Sequence, residues 1–190
     1  MQKTQKKEFA EIRIIGGKWR KRKLSLEIST ELRPTKDRVR ETLFNWLAPY
    51  IVGSRCLDCF AGTGALGFEA LSRGASHVTF IDKSSKIIKK LKENAKILSA
   101  ENIDYYLAEM PNFKKKLDPY DIIFLDPPYH KNLIEPCLNF LEKNNLLKDN
   151  TLIYIETEKT FSPLSIPENW LVLKENQAGQ VAYYLLKTCK

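Results

Sequence analysis

The chain is 190 residues long, 43% hydrophobic and 28% charged, with a formal net charge of +8 at pH 7. That length and balance read as one soluble globular domain able to bury a full core. No apolar run reaches membrane-spanning length and Met1–Lys7 reads without an apolar leader, so a cytoplasmic protein with no membrane partner is the expectation.

The charge is unevenly placed. Residues 1–50 carry 13 Lys/Arg against 6 Asp/Glu, whereas residues 51–190 carry 18 against 17. One compact unit is expected, with a basic extension over 1–50 and a larger domain over 51–190. In the extension, Ile12–Ile15 and Trp19–Leu24 flank Gly16-Gly17-Lys18, which predicts a β-hairpin. Leu32-Arg33-Pro34 reads as extended, and Thr35 as the cap of a helix whose Val39, Leu43 and Leu47 recur at i, i+4 and i+8. Cations interleaved with Trp19 lean towards a phosphate-binding surface rather than a solvated face. Trp19 itself could pack the hairpin or stack a base.

From residue 55 the rhythm becomes alternating. Strands are predicted near 55–59, 77–82, 103–107, 120–126 and 151–156, and helices near 64–73, 84–99, 111–117 and 132–144. Such alternation predicts a parallel sheet covered by helices on both faces. The tail differs: Trp170–Lys174, a turn through Asn176–Gly179 and Val181–Leu186 read as an antiparallel hairpin. Cys56 and Cys59 form a C-x-x-C pair, but positions an odd number apart in a strand face opposite ways. Cys137 and Cys189 lack partners at ligand spacing, so free thiols and no metal are expected.

Two segments carry chemistry. The apolar run Tyr120–Leu125 ends abruptly in Asp126-Pro127-Pro128-Tyr129, where two prolines stop the ladder and stiffen the backbone. A carboxylate, the Pro127 carbonyl and a ring face suit a planar base with an exocyclic amine. Such an amine is a poor nucleophile, and acceptors on its N–H bonds stabilise the positive charge that grows as it attacks. The second segment, Asp58 through Gly67, joins a strand to a helix and formally matches the dinucleotide fingerprint through Gly62, Gly64 and Gly67. Asp58 argues against a dinucleotide, because a carboxylate repels a pyrophosphate at a helix N-terminus. S-adenosylmethionine has no phosphate but offers an ammonium and a sulfonium, and Asp82 ends the next strand where two ribose hydroxyls could bind. If the strands ending in Asp58 and Asp126 are neighbours, donor and acceptor share one cleft.

With Arg13–Gly17, the run from Arg33-Pro34-Thr35 through Asp37–Glu41 to Asn45, Leu57–Gly67, Glu69–Ala75 and Asp126–Tyr129, the chain resembles class I S-adenosylmethionine-dependent methyltransferases. More narrowly it is similar to the RsmD family, which methylates guanine N2 of 16S ribosomal RNA, over about residues 12 to 187. The resemblance implies a Rossmann-like α/β fold with a seven-stranded, mostly parallel sheet, an antiparallel last strand and an N-terminal hairpin and helix. It implies that Asp58, Phe60, Ala61, Gly62, Thr63 and Gly64 line the methionyl end of the cofactor. Asp82 and Lys83 would lie at the ribose, Glu109 near the adenine, and Asp126 beside the donor. Asp126, Pro127, Pro128 and Tyr129 would hold the base. Lys18, Arg20, Arg22, Arg33, Arg38 and Arg40 become candidate RNA contacts, and a monomer acting on 16S RNA or an assembling small subunit is expected. Asp82 departs from the family's usual Glu, Thr63 from a common Ser and Cys59 from a common Leu.

Rival readings are a DNA or RNA adenine-N6 or cytosine-N4 methyltransferase, a catalytically idle RNA-binding assembly factor, and an NAD-dependent oxidoreductase. The DNA enzymes usually carry a separate target-recognition domain, which 190 residues are not expected to hold. Glu156, ending a strand, could be a structural acceptor or a site residue; His130 next to Tyr129 could touch substrate or simply be exposed. If the basic extension only binds RNA, removing residues 1–31 should leave the cofactor site intact.

Overall fold

A computed structural model describes residues 9–27, 37–159 and 166–189. Arg33 and the extended and capping residues expected over 32–35 lie outside the described residues. Strands β1 (Phe9–Arg13) and β2 (Lys23–Glu27) pair antiparallel, followed by helix α1 (Asp37–Leu47). The chain then alternates through β3 (Arg55–Asp58), α2 (Ala65–Ser72), β4 (His77–Asp82), α3 (Ser85–Leu98) and β5 (Ile103–Leu107). It continues with β6 (Tyr120–Leu125), α4 (Ile134–Lys143), β7 (Leu147–Glu158), β8 (Trp170–Ala178) and β9 (Val181–Thr188).

The larger sheet has seven strands in the order β5-β4-β3-β6-β7-β9-β8. The first five run parallel, and β9 is antiparallel to both its neighbours. Central strands are buried on both faces, which is why they read as continuous apolar runs. Alternate residues feed two cores. Cys56, Val78, Phe80, Ile122 and Phe124 meet α1, α2 and α3, whereas Leu57, Ile81, Ile123 and Leu125 meet Cys137, Leu138 and Leu141 of α4. The fold is the Rossmann-like α/β sheet expected, with its antiparallel final strand.

The β1–β2 hairpin is not a solvated appendage. Ile14, Trp19 and Leu24 are buried in the same cluster as α1 and α2. Between the strands, residues 17–19 form a single 3-10 turn rather than a two-residue hairpin turn. Gly17 adopts φ +72°, and a Cβ there would lie 1.8 Å from the Ser72 carbonyl oxygen, so both conformation and contact demand glycine. Glu69 of α2, fully buried, accepts from the Ile15 and Gly16 N–H groups at 2.8 Å each and from Arg73 Nε at 2.7 Å. The Ser72 hydroxyl donates to the Gly16 carbonyl at 2.6 Å and accepts from the Trp19 N–H at 3.0 Å.

Four expectations fail in detail: first, the hairpin strands run over Phe9–Arg13 and Lys23–Glu27 rather than 12–15 and 19–24, because residues 17–19 are taken up by the 3-10 turn. No helix forms over 111–117; Asn112 N–H closes a turn on the Glu109 carbonyl at 2.8 Å, and buried Met110 and Phe113 pin it to the sheet. β7 starts at Leu147 rather than near 151 because Tyr120 already pairs with Leu147. β8 continues to Ala178, so the tail turns at Gly179 (φ +65°) and Gln180. Among the described residues, no helix is long and apolar enough to cross a membrane. All four cysteines are free thiols.

Candidate active site

β3 and β6 are hydrogen-bonded neighbours, and β3 also pairs with β4, so the strand order reverses at β3. Ligands of open parallel sheets bind outside the carboxyl ends at such a reversal. Asp58 pairs with Phe80 on one side and with Phe124 on the other. Asp82 and Asp126 therefore each stand two residues, roughly 7 Å, further along the strands that flank Asp58. Leu125 pairs with Ile155, which puts Glu156 of β7 level with Asp126. Four carboxyl groups thus rim the same edge, on β4, β3, β6 and β7, with Asp58 recessed at the centre.

Asp58 is 2% exposed, and its Oδ2 accepts from the Gly67 N–H at 3.3 Å. Burial pushes its carboxyl up to about 7; the Gly67 hydrogen bond opposes this and the nearby Asp82 charge adds to it. The loop from Phe60 to Gly64 folds over it. Ala61 N–H reaches the Ile81 carbonyl at 2.9 Å, Gly64 N–H closes a turn on the Ala61 carbonyl at 2.7 Å, and Thr63 Oγ1 accepts from Ala65 N–H at 3.2 Å. Gly64 sits at φ +75°, where a Cβ would press 2.5 Å from Leu91 Cδ2. Phe60 packs partly buried against the α4-side core. Asp82 ties loop to helix: its Oδ2 accepts from Gly62 N–H at 3.0 Å and its Oδ1 from Ser84 N–H at 2.8 Å. At the rim, exposed Lys83 Nζ lies 3.5 Å from Glu109 Oε1.

On the β6 side Pro127 is buried, Asp126 and Tyr129 are partly buried and Pro128 is exposed. The Tyr129 hydroxyl donates to Glu156 Oε1 at 3.2 Å, and the Tyr154 hydroxyl donates to Glu156 Oε2 at 2.9 Å. Burial raises the Glu156 carboxyl, and the two tyrosine donors hold it back. Burial and the facing carboxylates raise both tyrosines, so each hydroxyl keeps its proton and stays a donor. A hollow beside this cluster is lined by Pro128, Tyr129, Leu133, Glu156 and Glu158. His130 is exposed, with its N–H donating to Glu158 and its Nδ1 3.2 Å from the same carboxylate. Sequence patterning left Glu156 undecided. The signal available was its place at the carboxyl end of a sheet strand.

The sequence matches the family described as Conserved hypothetical protein 95 over residues 12–187. The chain belongs to that family. It is 51% identical over 180 residues to the Haemophilus influenzae protein named Ribosomal RNA small subunit methyltransferase D, covering 92% of this chain and 93% of that one. The Escherichia coli protein of the same name is 48% identical over 186 residues, covering 97% and 94%. The solved Escherichia coli structure of yhhF superposes with a TM-score of 0.85 at 48% identity, covering 95% of this chain and 99% of that one. Membership and fold together make this chain a methyltransferase.

Residues of α1 and of the segment 69–75 meet at the hairpin. Glu69, Ser72 and Arg73 grip its loop. Arg40 Nη2 donates to the Arg13 carbonyl at 2.9 Å and to Asp37 Oδ1 at 2.5 Å. Arg40 is 0% exposed, which removes it from the expected RNA-facing set. Trp19 is 8% exposed and packs the hairpin rather than offering a stacking face. Lys18, Arg20, Arg22 and Arg38 are exposed. The hairpin tip, however, docks on Ser72 and Arg73 at the C-terminal end of α2, and Arg22 Nη2 donates to the carbonyl of Ile97 near the end of α3 at 2.8 Å. Both helices start at the carboxyl edge of the sheet, beside Asp58 and Asp82, and run away from it. The 14 residues of α3 alone separate the Arg22 contact from Asp82 by roughly 20 Å.

Proposed function

We propose that this chain transfers a methyl group from S-adenosylmethionine to the exocyclic N2 amine of a guanine in 16S ribosomal RNA. The observation that carries this reading is the rim of carboxyls, with a recessed Asp58 against a glycine loop and Asp126 one strand away beside an aromatic ring. The chain's own chemistry suits that donor. Asp58 is a buried carboxyl whose ionised form lacks solvation and which an ammonium would favour. A pyrophosphate would meet the same carboxylate as repulsion. Gly64 lies in the left-handed region and a Cβ there would press on Leu91 and Phe68, so the turn that shapes this loop requires glycine.

When bound, S-adenosylmethionine supplies a methyl group made electrophilic by its sulfonium. Asp58 would hold the methionyl ammonium, Asp82 the ribose hydroxyls, and Lys83 and Glu109 the outer rim. Asp126 and the Pro127 carbonyl accept hydrogen bonds from the target amine, which localises its lone pair and stabilises positive charge as it develops. Tyr129, pinned at its hydroxyl by Glu156, presents its ring to the base. Holding amine and donor in line supplies much of the acceleration. A base in a duplex must first be extruded, so an unpaired guanine is the cheaper target. The relatives named as small-subunit RNA methyltransferases support ribosomal RNA as the substrate.

The test is mass mapping of methylated nucleotides in 16S RNA from cells with and without the gene. One N2-methylguanine should vanish in the deletion and return when purified protein and S-adenosylmethionine are added. An unchanged methylation map, or a lost methyl on adenine N6 or cytosine N4, would overturn the assignment.

A further inference from the structure

The cations of the hairpin tip lie at the wrong end of α2 and α3 to deliver RNA to the cleft unaided. We infer that the outer face of α3 is a phosphate track joining that tip to the cofactor edge, an inference that rests on RNA being the substrate. The helix buries Ile88, Leu91, Ala95 and Leu98 against the sheet. Opposite them, Lys86, Lys89, Glu93 and Lys96 recur at i, i+3, i+7 and i+10 and are all exposed, forming one stripe on the solvent side. Glu93 is the single acid in that stripe, and Lys90 Nζ offsets it at 3.2 Å. Lys86, Lys89 and Lys96 have no ion-pair partner among the described residues.

The stripe is continuous with the hairpin. Arg22 binds the carbonyl of Ile97, the residue after Lys96, and Asn94 Nδ2 donates to the Ser25 carbonyl at 3.4 Å, fixing β2 along α3. At its other end the helix begins at Ser84, whose N–H is bound by Asp82. Exposed cations therefore run from Arg20 and Lys21 through Lys96, Lys89 and Lys86 to the cleft, over roughly 17 Å of helix. Sequence composition hides this, because residues 51–190 are nearly neutral overall.

The test replaces Lys86, Lys89 and Lys96 together by Gln, which keeps helix propensity. A control replaces Lys114, Lys115 and Lys116 by Gln, removing the same charge from an exposed run outside α3. Binding is measured from 50 to 200 mM salt on 16S RNA and on small subunits from a deletion strain, with cofactor affinity and melting temperature followed in parallel. Three lost phosphate contacts should lower the slope of log affinity against log salt by about 2–3. The unsubstituted chain should then lose about 20- to 40-fold more affinity than the α3 variant across that range. Cofactor affinity and melting temperature should not move. An unchanged slope in the α3 variant, or an equal fall in the control, would overturn the track while leaving the RNA reading in place. Failure of the unsubstituted chain to bind or methylate either substrate would instead overturn the RNA reading, and the track with it.

Discussion

The Tyr129 hydroxyl, in the loop that follows β6, and the Glu156 carboxylate on neighbouring β7 meet at 3.2 Å, so the ring beside Asp126 is held from behind by a buried acid. Tyr129→Phe keeps the ring and should retain most activity, while Tyr129→Ala should lose ~1–3 kcal/mol of base stacking. Glu156→Ala should leave cofactor affinity unchanged and lower kcat, because it frees the ring without touching the donor. Equal losses for Phe and Ala at position 129 in steady-state kinetics would show that the hydroxyl, not the ring, matters.

If Asp58 holds the methionyl ammonium as proposed, S-adenosylmethionine binding should depend on pH. Burial raises the Asp58 carboxyl to about 7, and a methionyl ammonium would favour the carboxylate. Binding below pH 7 must therefore expel a proton, so affinity should rise up to about tenfold per pH unit towards 7 and flatten above it. The same raised acid makes the folded chain bind more protons than the unfolded one between about 4 and 7, so its contribution to stability falls as pH rises through that window. Asp58→Asn should flatten the affinity profile, and Asp58→Ala should weaken binding by ~1.5–3 kcal/mol. Calorimetry from pH 5.5 to 8.5 decides, since a flat profile in the unsubstituted chain would take Asp58 away from the ammonium.

Asp126 should separate chemistry from binding. Asp126→Ala is expected to remove most methyl transfer while cofactor affinity stays within a few-fold, because its hydrogen bond strengthens as charge grows on the amine. Single-turnover transfer at saturating cofactor is the measurement, and near-normal turnover would mean the amine is activated elsewhere.

The hairpin clamp should be structural. Glu69→Ala strands the Ile15 and Gly16 N–H groups and Arg73, and is expected to cost about 2–4 kcal/mol of stability. Gly17→Ala forces a side chain into both a left-handed backbone and the Ser72 carbonyl, for a loss of at least ~2 kcal/mol. Denaturant melts report both, and wild-type midpoints would mean the loop docks by other means.

Much of the fold was legible because apolar runs ending in acids mark parallel strands, and Asp58, Asp82 and Asp126 all stand at strand ends as the pattern implies. What patterning could not supply was partnership across sequence distance. Glu69 looked like any helical acid, yet it is fully buried on backbone amides more than fifty residues away. Arg40 looked like a surface cation because its helix position ignores Asp37 and the Arg13 carbonyl. For the same reason the basic extension looked removable. Deleting residues 1–31 would strip Ile14, Trp19 and Leu24 from the core and leave Glu69 uncompensated, so charge neutralisation is the cleaner probe.

The placement of β9 between β7 and β8 sets an order of assembly for a chain growing from its N-terminus. β8 is made before β9 yet has no other neighbour in the sheet among the described residues, so it must wait unpaired. β7 keeps one open edge for the same interval, and Glu156 gains its cross-strand neighbour Tyr183 only when β9 inserts. The half that carries Asp58 and Asp82, built on strands complete by residue 107, can close far earlier. In a chain made from its N-terminus, the Asp58 side of the sheet edge is therefore complete first and the Tyr129–Glu156 side last.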